Sequence, residues 1–508
     1  MTMFDANRND LLLGVVGTGL MGRGIAQIAV QGGMRVLLHD VRPEAAGEAR
    51  DAIAQTLATL AGKGKISTDD AHAATARLGI AESLDALADC NVVVEAISEN
   101  LEAKCGLFQR LEEVVGERCI LATNTSSLSV TAIAAACRIP ERVAGFHFFS
   151  PVPLMKIVEV IDGALSEPSA GDALMALARR MGHTPVRAKD SPGFIVNHAG
   201  RGFGTEALRI LGEGIAGFAD IDRILREAAG FRMGPFELLD LTGLDVSHPV
   251  MESIYDQYYQ EPRFRPSPIT RQRLAAGLLG RKSGRGFYVY RDGKAESVAE
   301  EALPPKTATP IWLSRRNEPA AERAEALLDR LGAPRDRGER PGADSLCIVL
   351  PLGEDATTAA LAEGLDPART LALDPLALDG RRTLMRTPLT TRDAADAARG
   401  LFAADGTPVT VINDSPGFVV QRVLATIVNI GCDIAQQRVA TPEDIDRAVT
   451  LGLGYPKGPL AMGDALGAST VLAILDAMHD FYRDPRYRPS PWLVRRARLG
   501  VSLLTPEE

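Results

Sequence analysis

Short apolar runs alternate with stretches of helical spacing over positions 1–188. Positions 11–16 form such a run, whose length and composition predict a buried strand. Positions 23–30 place small and apolar side chains as a helix does, Gly32-Gly33 ends it, and 35–39 is a second strand closed by Asp40. Strands are further predicted at 91–95, 119–123, 142–149, 156–161 and 185–188. Helices are predicted at 42–60, 68–75, 84–88, 103–115, 130–137 and 169–181. Such alternation implies an α/β fold with a parallel sheet covered on both faces.

The period changes at Asp190-Ser191-Pro192-Gly193-Phe194. From there the spacing is helical, at 194–212, 219–228, 234–242 and 245–260, with another helix opening at Pro266-Ser267-Pro268. A basic, glycine-rich turn with an aromatic end covers 280–290, and the charged stretch 291–308 contains Pro304-Pro305, as a linker would. Alternation returns over 309–412, with strands at 310–313, 345–350, 370–373, 383–386 and 408–412 and helices at 318–332, 355–364 and 391–404. The remainder repeats the earlier helical part. Asp190-Ser191-Pro192-Gly193-Phe194 recurs as Asp414-Ser415-Pro416-Gly417-Phe418, Ile221-Asp222-Arg223 as Ile445-Asp446-Arg447, and Gly234-Pro235 as Gly458-Pro459, each at an offset of 224. Arg265-Pro266-Ser267-Pro268 recurs as Arg488-Pro489-Ser490-Pro491 at 223, and so constant an offset marks an internal duplication. The expected domains are therefore 1–188 (Rossmann-like), 189–290 (all-helical), a linker at 291–308, 309–412 (reduced Rossmann-like, without a cofactor loop) and 413–508 (a second, degenerate helical copy).

At 508 residues the chain is too long for one core, and its length alone suggests three to five domains. A hydrophobic share of 46% and a charged share of 24% describe an ordinary soluble globular protein. The formal charge of −9, with no basic block, argues against a nucleic-acid partner. Six cysteines form no C-x-x-C pair and read as reduced and mostly buried. The acidic, polar start and the lack of an apolar run long enough to span a bilayer lead us to expect a cytoplasmic protein with no targeting leader and no membrane partner.

The chemistry begins at Gly17-Thr18-Gly19-Leu20-Met21-Gly22, the G-x-G-x-x-G spacing between a strand and a helix. Gly17 permits the tight turn, Gly19 the approach of a pyrophosphate, and Gly22 close packing of helix on strand. The helix N-terminus supplies unpaired N–H groups to phosphate. Asp40 closes the next strand, where a carboxylate can accept from ribose hydroxyls and would repel a 2′-phosphate, so NAD is the expected cofactor. His147 ends an apolar strand before a proline-rich turn, and Glu159 follows in a second apolar run. A carboxylate in an apolar strand is costly unless paired, and an imidazole held by it suits removal of an alcohol proton. A buried structural pair is the alternative. Ser126 and Asn197 can serve the reacting oxygens, or merely cap a helix and satisfy backbone. Glu99, Asn100 and Lys104 follow the 91–95 strand and either face the cofactor or are solvated helix-start polars. The histidines show no metal-ligand spacing, and no metal is expected.

These residues resemble the L-3-hydroxyacyl-CoA dehydrogenase family. The resemblance rests on GVVGTGLMGRGIAQIA at 14–29, VVEAISENLEAK at 93–104, NTSSLSV at 124–130 and RVAGFHFFSPVPLMKIVEV at 142–160, with DSPGFIVN at 190–197 and MGPFELLDLTGLD at 233–245. The part beyond 290 resembles the longer bacterial members, which include enzymes of phenylacetate breakdown acting on 3-hydroxyadipyl-CoA. The resemblance implies reversible oxidation at C3 of a 3-hydroxyacyl-CoA, short-chain or 3-hydroxyadipyl. His147 would be the catalytic base, Glu159 its orienting group, and Ser126 and Asn197 substrate and cofactor contacts. Asp40, Glu99, Lys104, Ser150 and Lys282 would lie near the cofactor, with Leu20 and Met21 in its loop, and Lys63 or Lys65 would meet CoA phosphate. Three departures stand out: Ser150 where asparagine is usual, His198 where arginine is common, and Phe231-Arg232 in place of a tyrosine–proline pair. Arg232 could bind a distal carboxylate. In the second copy Gln421 replaces Asn197 and no His–Glu pair is evident, so that copy reads as structural, pairing as a homodimer or within one chain. The start of the chain offers no hydratase or isomerase module, so a multifunctional enzyme is not expected. Two other readings stay open: a dehydrogenase of a non-CoA hydroxy acid on the same scaffold, and a catalytically retired NAD-binding protein.

Overall fold

Residues 5–507 are described by a computed structural model. The first sheet has eight strands: β1 (Leu12–Val16), β2 (Arg35–His39), β3 (Leu78–Ile80), β4 (Val92–Glu95), β5 (Ile120–Thr123), β6 (Val143–Phe148), β7 (Ile157–Asp162) and β8 (Thr184–Lys189). Their order is β3-β2-β1-β4-β5-β6-β7-β8, with the chain reversing direction of growth between β1 and β4. Helices α1 (Leu20–Gln31), α2 (Ala45–Gly62), α3 (Thr68–Ala76), α4 (Leu101–Val114), α5 (Val130–Ala134) and α6 (Pro168–Arg180) cover it. Successive strand residues serve opposite faces. Val92 and Val94 join the cluster of Ile25, Val30 and Leu57, while Val93 joins Phe108, Leu111 and Ile133.

The alternation implied a parallel sheet, but the sheet is mixed. β7 runs antiparallel to β6, and β8 is parallel to β7. Only the stretch 149–156 joins β6 to β7, too short for the dozen or more residues that a parallel crossover needs. That reversal sets His147 directly across from Glu159. Strand β3, whose Leu78-Gly79-Ile80 is too short and half-buried to stand out, was not anticipated.

A short helix α7 (Val196–Ala199) precedes α8 (Arg201–Gly212), so the helix expected over 194–212 starts later and is broken at Gly200. Helices α9 (Phe218–Glu227), α10 (Pro235–Thr242), α11 (Leu244–Gln257) and α12 (Pro268–Ala275) follow. The expected linker is tied down. A hairpin, β9 (Tyr290–Arg291) with β10 (Lys294–Ala295), opens it, Glu300 pairs with Arg381 at 2.9 Å and Glu301 with Arg399 at 2.7 Å.

The middle sheet contains β11 (Ile311–Leu313), β12 (Arg335–Asp336), β13 (Leu346–Val349), β14 (Thr370–Leu373), β15 (Arg382–Arg386) and β16 (Val409–Ile412) in the order β12-β11-β13-β14-β15-β16. Helices α13 (Glu318–Arg330), α14 (Ala356–Ala362) and α15 (Arg392–Phe402) accompany it. Again one neighbouring pair, β14 and β15, is antiparallel. After β11 the chain reads Ser314-Arg315-Arg316-Asn317, with no glycine turn.

The second helical copy contains α16 (Val419–Gln436), α17 (Pro442–Leu453), α18 (Pro459–Leu466), α19 (Ala468–Tyr482) and α20 (Pro491–Leu499). α16 is buried almost all round, as a core helix is, and α8 lies close against it, a Cβ on Gly202 falling 3.2 Å from Ile427 backbone. Arg422 of α16 and Glu206 of α8 meet at 2.7 Å with no solvent exposure on either side chain.

The copies also exchange parts. Among the described residues, 437–453 form one compact unit with the chain up to 198, and 199–436 with the chain from 454 form the other. In the first, edge strand β8 gives its outward N–H groups to the second copy: Lys189 N–H donates to Val439 O at 2.8 Å and Arg187 N–H to Asp444 at 3.3 Å. In the other unit, Asn413 N–H donates to Ile215 O at 2.9 Å, which is the Lys189–Val439 contact with each position replaced by its repeat equivalent. The β8 edge and the end of β16, which would otherwise invite foreign pairing, thereby have partners. Among the described residues no single helix is long and apolar enough to cross a membrane.

Candidate active site

The loop between β1 and α1 is built for an anion. Gly17 has φ of +94°, and a Cβ there would meet the Ala96 carbonyl oxygen at 2.6 Å; one on Gly22 would collide with Gly17 O. At Gly19 nothing lies within 4 Å of that position, which leaves backbone open at the N-terminus of α1. Leu20 is 64% exposed, whereas Met21 packs on the core below. Asp40 Oδ2 accepts from Thr18 N (2.8 Å) and Oγ1 (2.9 Å), and Oδ1 from Arg42 N at 3.1 Å. Burial would raise this carboxyl, but those donors outweigh it and hold it below its ordinary value. It stays an acceptor in a cleft of about 1170 Å³ lined by Gly17, Gly19, His39, Val41 and Ile97. His39 ends β2, with Nδ1 3.0 Å from Ala81 O. An open glycine beside a helix start, with a fixed carboxylate at the end of β2, fits the pyrophosphate and ribose of NAD.

At the far end of β6, His147 is 4% exposed and Glu159 fully buried. Nδ1 of His147 lies 2.7 Å from Glu159 Oε2. The other carboxylate oxygen, Oε1, accepts the N–H groups of Ile195 and Val196 at 2.9 Å each. A carboxylate only accepts, so Nδ1 carries the proton and Nε2 keeps a lone pair. Phe149 and Phe194 flank the imidazole, with ring centroids 4.4 and 5.7 Å away. Glu159 thus joins three segments: β7, β6 through His147, and the start of the helix that carries Asn197. The Asn197 amide reaches Ser126 O at 3.3 Å.

Glu99 and Lys104 are tied to other protein groups rather than solvated at a helix start. Oε1 of Glu99 gathers Thr125 Oγ1 (2.7 Å), Ser126 N (2.8 Å) and Oγ (3.1 Å), and Ser127 N (3.1 Å) and Oγ (3.0 Å). Burial would raise the Glu99 carboxyl, but Lys104 and these donors leave it below its usual range. Lys104 is 1% exposed, with Nζ 2.5 Å from Glu95 Oε1 and 3.3 Å from Glu99 Oε2. It is an internal strut, and Glu99 shapes the loop that presents Ser126. Glu95, fully buried and also bonded to Thr123 Oγ1 at 2.6 Å, was missed from sequence. Its signal was a carboxylate ending an all-valine strand. Asp190 was missed as well: it accepts from Ser129 Oγ and Thr131 N at 2.7 Å each and fixes the start of α5. Asn100, for its part, caps α4.

Other expected residues are spread wider. Ser150 is exposed beyond β6. Lys63 and Lys65 are exposed past α2, where Ala58, Ala61, Gly62, Thr68 and His72 line a groove of about 560 Å³. Lys282, expected beside the cofactor, gives its ammonium to Asp245 at 2.6 Å within the helical part. Arg232 is exposed. A second histidine–carboxylate pair exists on α11. His248 Nε2 is 3.3 Å from Glu252, which is 49% exposed, and His248 Nδ1 is 3.0 Å from Thr270 Oγ1 of α12.

Residues 12–191 match the family model for the 3-hydroxyacyl-CoA dehydrogenase NAD binding domain, and 193–290 and 417–502 both match that for its C-terminal domain. A 3-hydroxyadipyl-CoA dehydrogenase of Escherichia coli (strain K12) is 37% identical over 498 residues, covering 97% of this chain and 98% of its own. A probable 3-hydroxybutyryl-CoA dehydrogenase of Bacillus subtilis (strain 168) is 42% identical over 279 residues, 55% of this chain and 96% of its own. The crystal structure of 3-hydroxybutyryl-CoA dehydrogenase from Escherichia coli K12 matches with a TM-score of 0.85 and 35% identity, over 97% of this chain and 99% of that one. The chain belongs to the 3-hydroxyacyl-CoA dehydrogenase family, in its long form with a duplicated helical domain, and is an NAD-dependent enzyme acting on acyl-CoA substrates.

Proposed function

We propose that His147 is the general base of this dehydrogenase, held by Glu159, with Ser126 and Asn197 positioning the substrate oxygens. One observation carries the reading: a buried 2.7 Å Nδ1–Oε2 contact across the β6–β7 rung, at the end of the NAD-binding sheet. Nε2 takes the C3 hydroxyl proton, and Glu159 stabilises the imidazolium so formed. NAD, when bound, accepts the hydride from the same carbon. Asn197 and the Ser126 segment are fixed by Glu159 and Glu99 respectively, so both groups are oriented before substrate arrives. The His248 pair suits this role less well. Its partners lie on α11 and α12, and its carboxylate is half in water.

A short-chain 3-hydroxyacyl-CoA or 3-hydroxyadipyl-CoA is the substrate we favour, on the near full-length similarity to the Escherichia coli 3-hydroxyadipyl-CoA dehydrogenase. Exposed Arg232 is our candidate for a distal carboxylate, and Lys63 or Lys65 for CoA phosphate. For the helical copies we favour pairing within one chain. The solvent-free Glu206–Arg422 contact joins them, and Arg263 of the first meets Asp433 of the second. The test is NADH formation on 3-hydroxybutyryl-, 3-hydroxyhexanoyl- and 3-hydroxyadipyl-CoA, for the parent and Arg232→Ala, repeated with NADP. We expect NAD preference and a selective loss on the adipyl substrate. Equal loss on all three would remove Arg232 from the reading.

A further inference from the structure

The second helical copy has a part in the catalytic unit. Helix α17 packs on β7 and β8, the strands at and beside Glu159. Near its end, Gly452 comes against Val196: a Cβ on that glycine would lie 3.0 and 3.1 Å from the two Val196 methyls and 3.7 Å from Ile157. Such spacing is close to the limit of packing, so any added atom displaces its neighbour. Val196 is no ordinary neighbour. Its N–H donates to Glu159 Oε1 at 2.9 Å, and the next residue is Asn197. Ile157 begins the strand that carries Glu159. The approach has two further fixed points, Lys189 N–H on Val439 O and Arg187 N–H on Asp444, so α17 cannot retreat without breaking contacts to β8. In the first copy the position matching Gly452 is Ala228. The side chain is absent only where the neighbour serves the catalytic carboxylate.

We propose that α17, through the bare surface at Gly452, is a positioning element for the dehydrogenase reaction: it presses Val196 into the place from which its N–H holds Glu159 and Asn197 faces the substrate. This rests on the assignment of His147 and Glu159 above. The degenerate copy is then retained because it forms one wall of the working site. Its own chemistry is not required.

The experiment uses the full chain with NAD. A misplacement on the 1 Å scale costs on the order of 10²-fold in rate, so Gly452→Val should lower kcat by about 10²-fold and Gly452→Ala by about 5-fold. NADH affinity, read by fluorescence titration, and KM for the acyl-CoA should each move less than about 2-fold, because the glycine loop of β1 is not disturbed. Loosening Glu159 on His147 also weakens the carboxylate's support of the imidazolium, so the acidic limb of kcat/KM should shift to lower pH. Adding Val196→Ala to Gly452→Ala restores the space, and should bring kcat back to within about 2-fold of Val196→Ala alone. Should Gly452→Val fail to fold, the alanine pair and the pH profile decide by themselves. Parental kcat in the glycine variants, or a loss with an unmoved pH limb and no relief from Val196→Ala, overturns the proposal. His147→Ala separates the two possible failures. If it keeps turnover, the base assignment falls; if it does not while the Gly452 series is silent, only α17's role falls.

Discussion

The rung that holds His147 and Glu159 has a counterpart in the middle sheet. Carried through the repeat offset, β7 falls on β15, so Thr383 stands where Glu159 does. The β14–β15 register, with Leu373 opposite Leu384, brings Asp374 across from Thr383, and Asp374 N–H donates to Thr383 O at 3.0 Å. Gln421, at the Asn197 position, donates to Asp374 Oδ1 at 3.0 Å and to Pro351 O at 3.2 Å. One antiparallel pairing thus recurs with different chemistry. In the first sheet each polar atom of the carboxylate has a task. In the middle sheet Asp374 Oδ2 and Thr383 Oγ1 are buried without a hydrogen-bond partner. Strand pairing survived duplication because packing demands it, while the proton chemistry was free to go in a sheet whose β11 turn has no glycines.

The largest expected contrast is in rate. Removal of a general base costs about 10²–10⁴-fold, so His147→Ala should lose most of its kcat yet still bind NADH, whereas Asp374→Ala should keep parental kcat in the same assay. A comparable loss in both would mean the middle rung is catalytic after all. Next comes stability between the helical copies. Breaking a buried ion pair by removing one partner costs about 3–5 kcal/mol. Arg422→Ala, which strands fully buried Glu206, should lower the denaturation midpoint accordingly, while His198→Ala, at the matching position of the first copy, should cost less. The smallest effect is in the pH dependence of stability. Burial pushes Asp374 from 3.8 up to about 6, against the Gln421 and Leu376 donors. The folded chain then binds the extra proton between those values, so stability falls as pH rises through that window and the loss is complete above it. Asp374→Asn should gain about 3 kcal/mol at pH 8 and almost nothing at pH 4 in urea titrations.

Much of the first domain was legible because its signals are local. A glycine turn between a strand and a helix, followed by an acid at the end of the next strand, specifies positions within about thirty residues of each other. His147 and Glu159 were legible for a different reason: a charge in an apolar strand demands a partner. The reversal of β7 could have been read from the short connection that precedes it, and was hidden by the rhythm of the strands before. Lys104 and Glu99 were less legible because, within a helix start, a buried strut and a solvated pair look alike. Their difference is made by Glu95, a strand away, and by the Thr125–Ser127 loop. The placement of 437–453 with the first sheet had no local signal at all. Duplication makes the second copy look self-contained, and contacts such as Lys189–Val439 and Arg187–Asp444, between opposite halves of the sequence, say otherwise.

The covered edge of β8 bears on how this polypeptide can be divided. A stop after position 290 would preserve His147, Glu159 and the glycine loop, yet it would strip Lys189 and Arg187 of their acceptors and bare the flank of β7. The mirror contact at Ile215 and Asn413 does the same to the middle sheet if the front is removed. No single cut frees either half whole, because each half keeps a strand end whose acceptor belongs to the other.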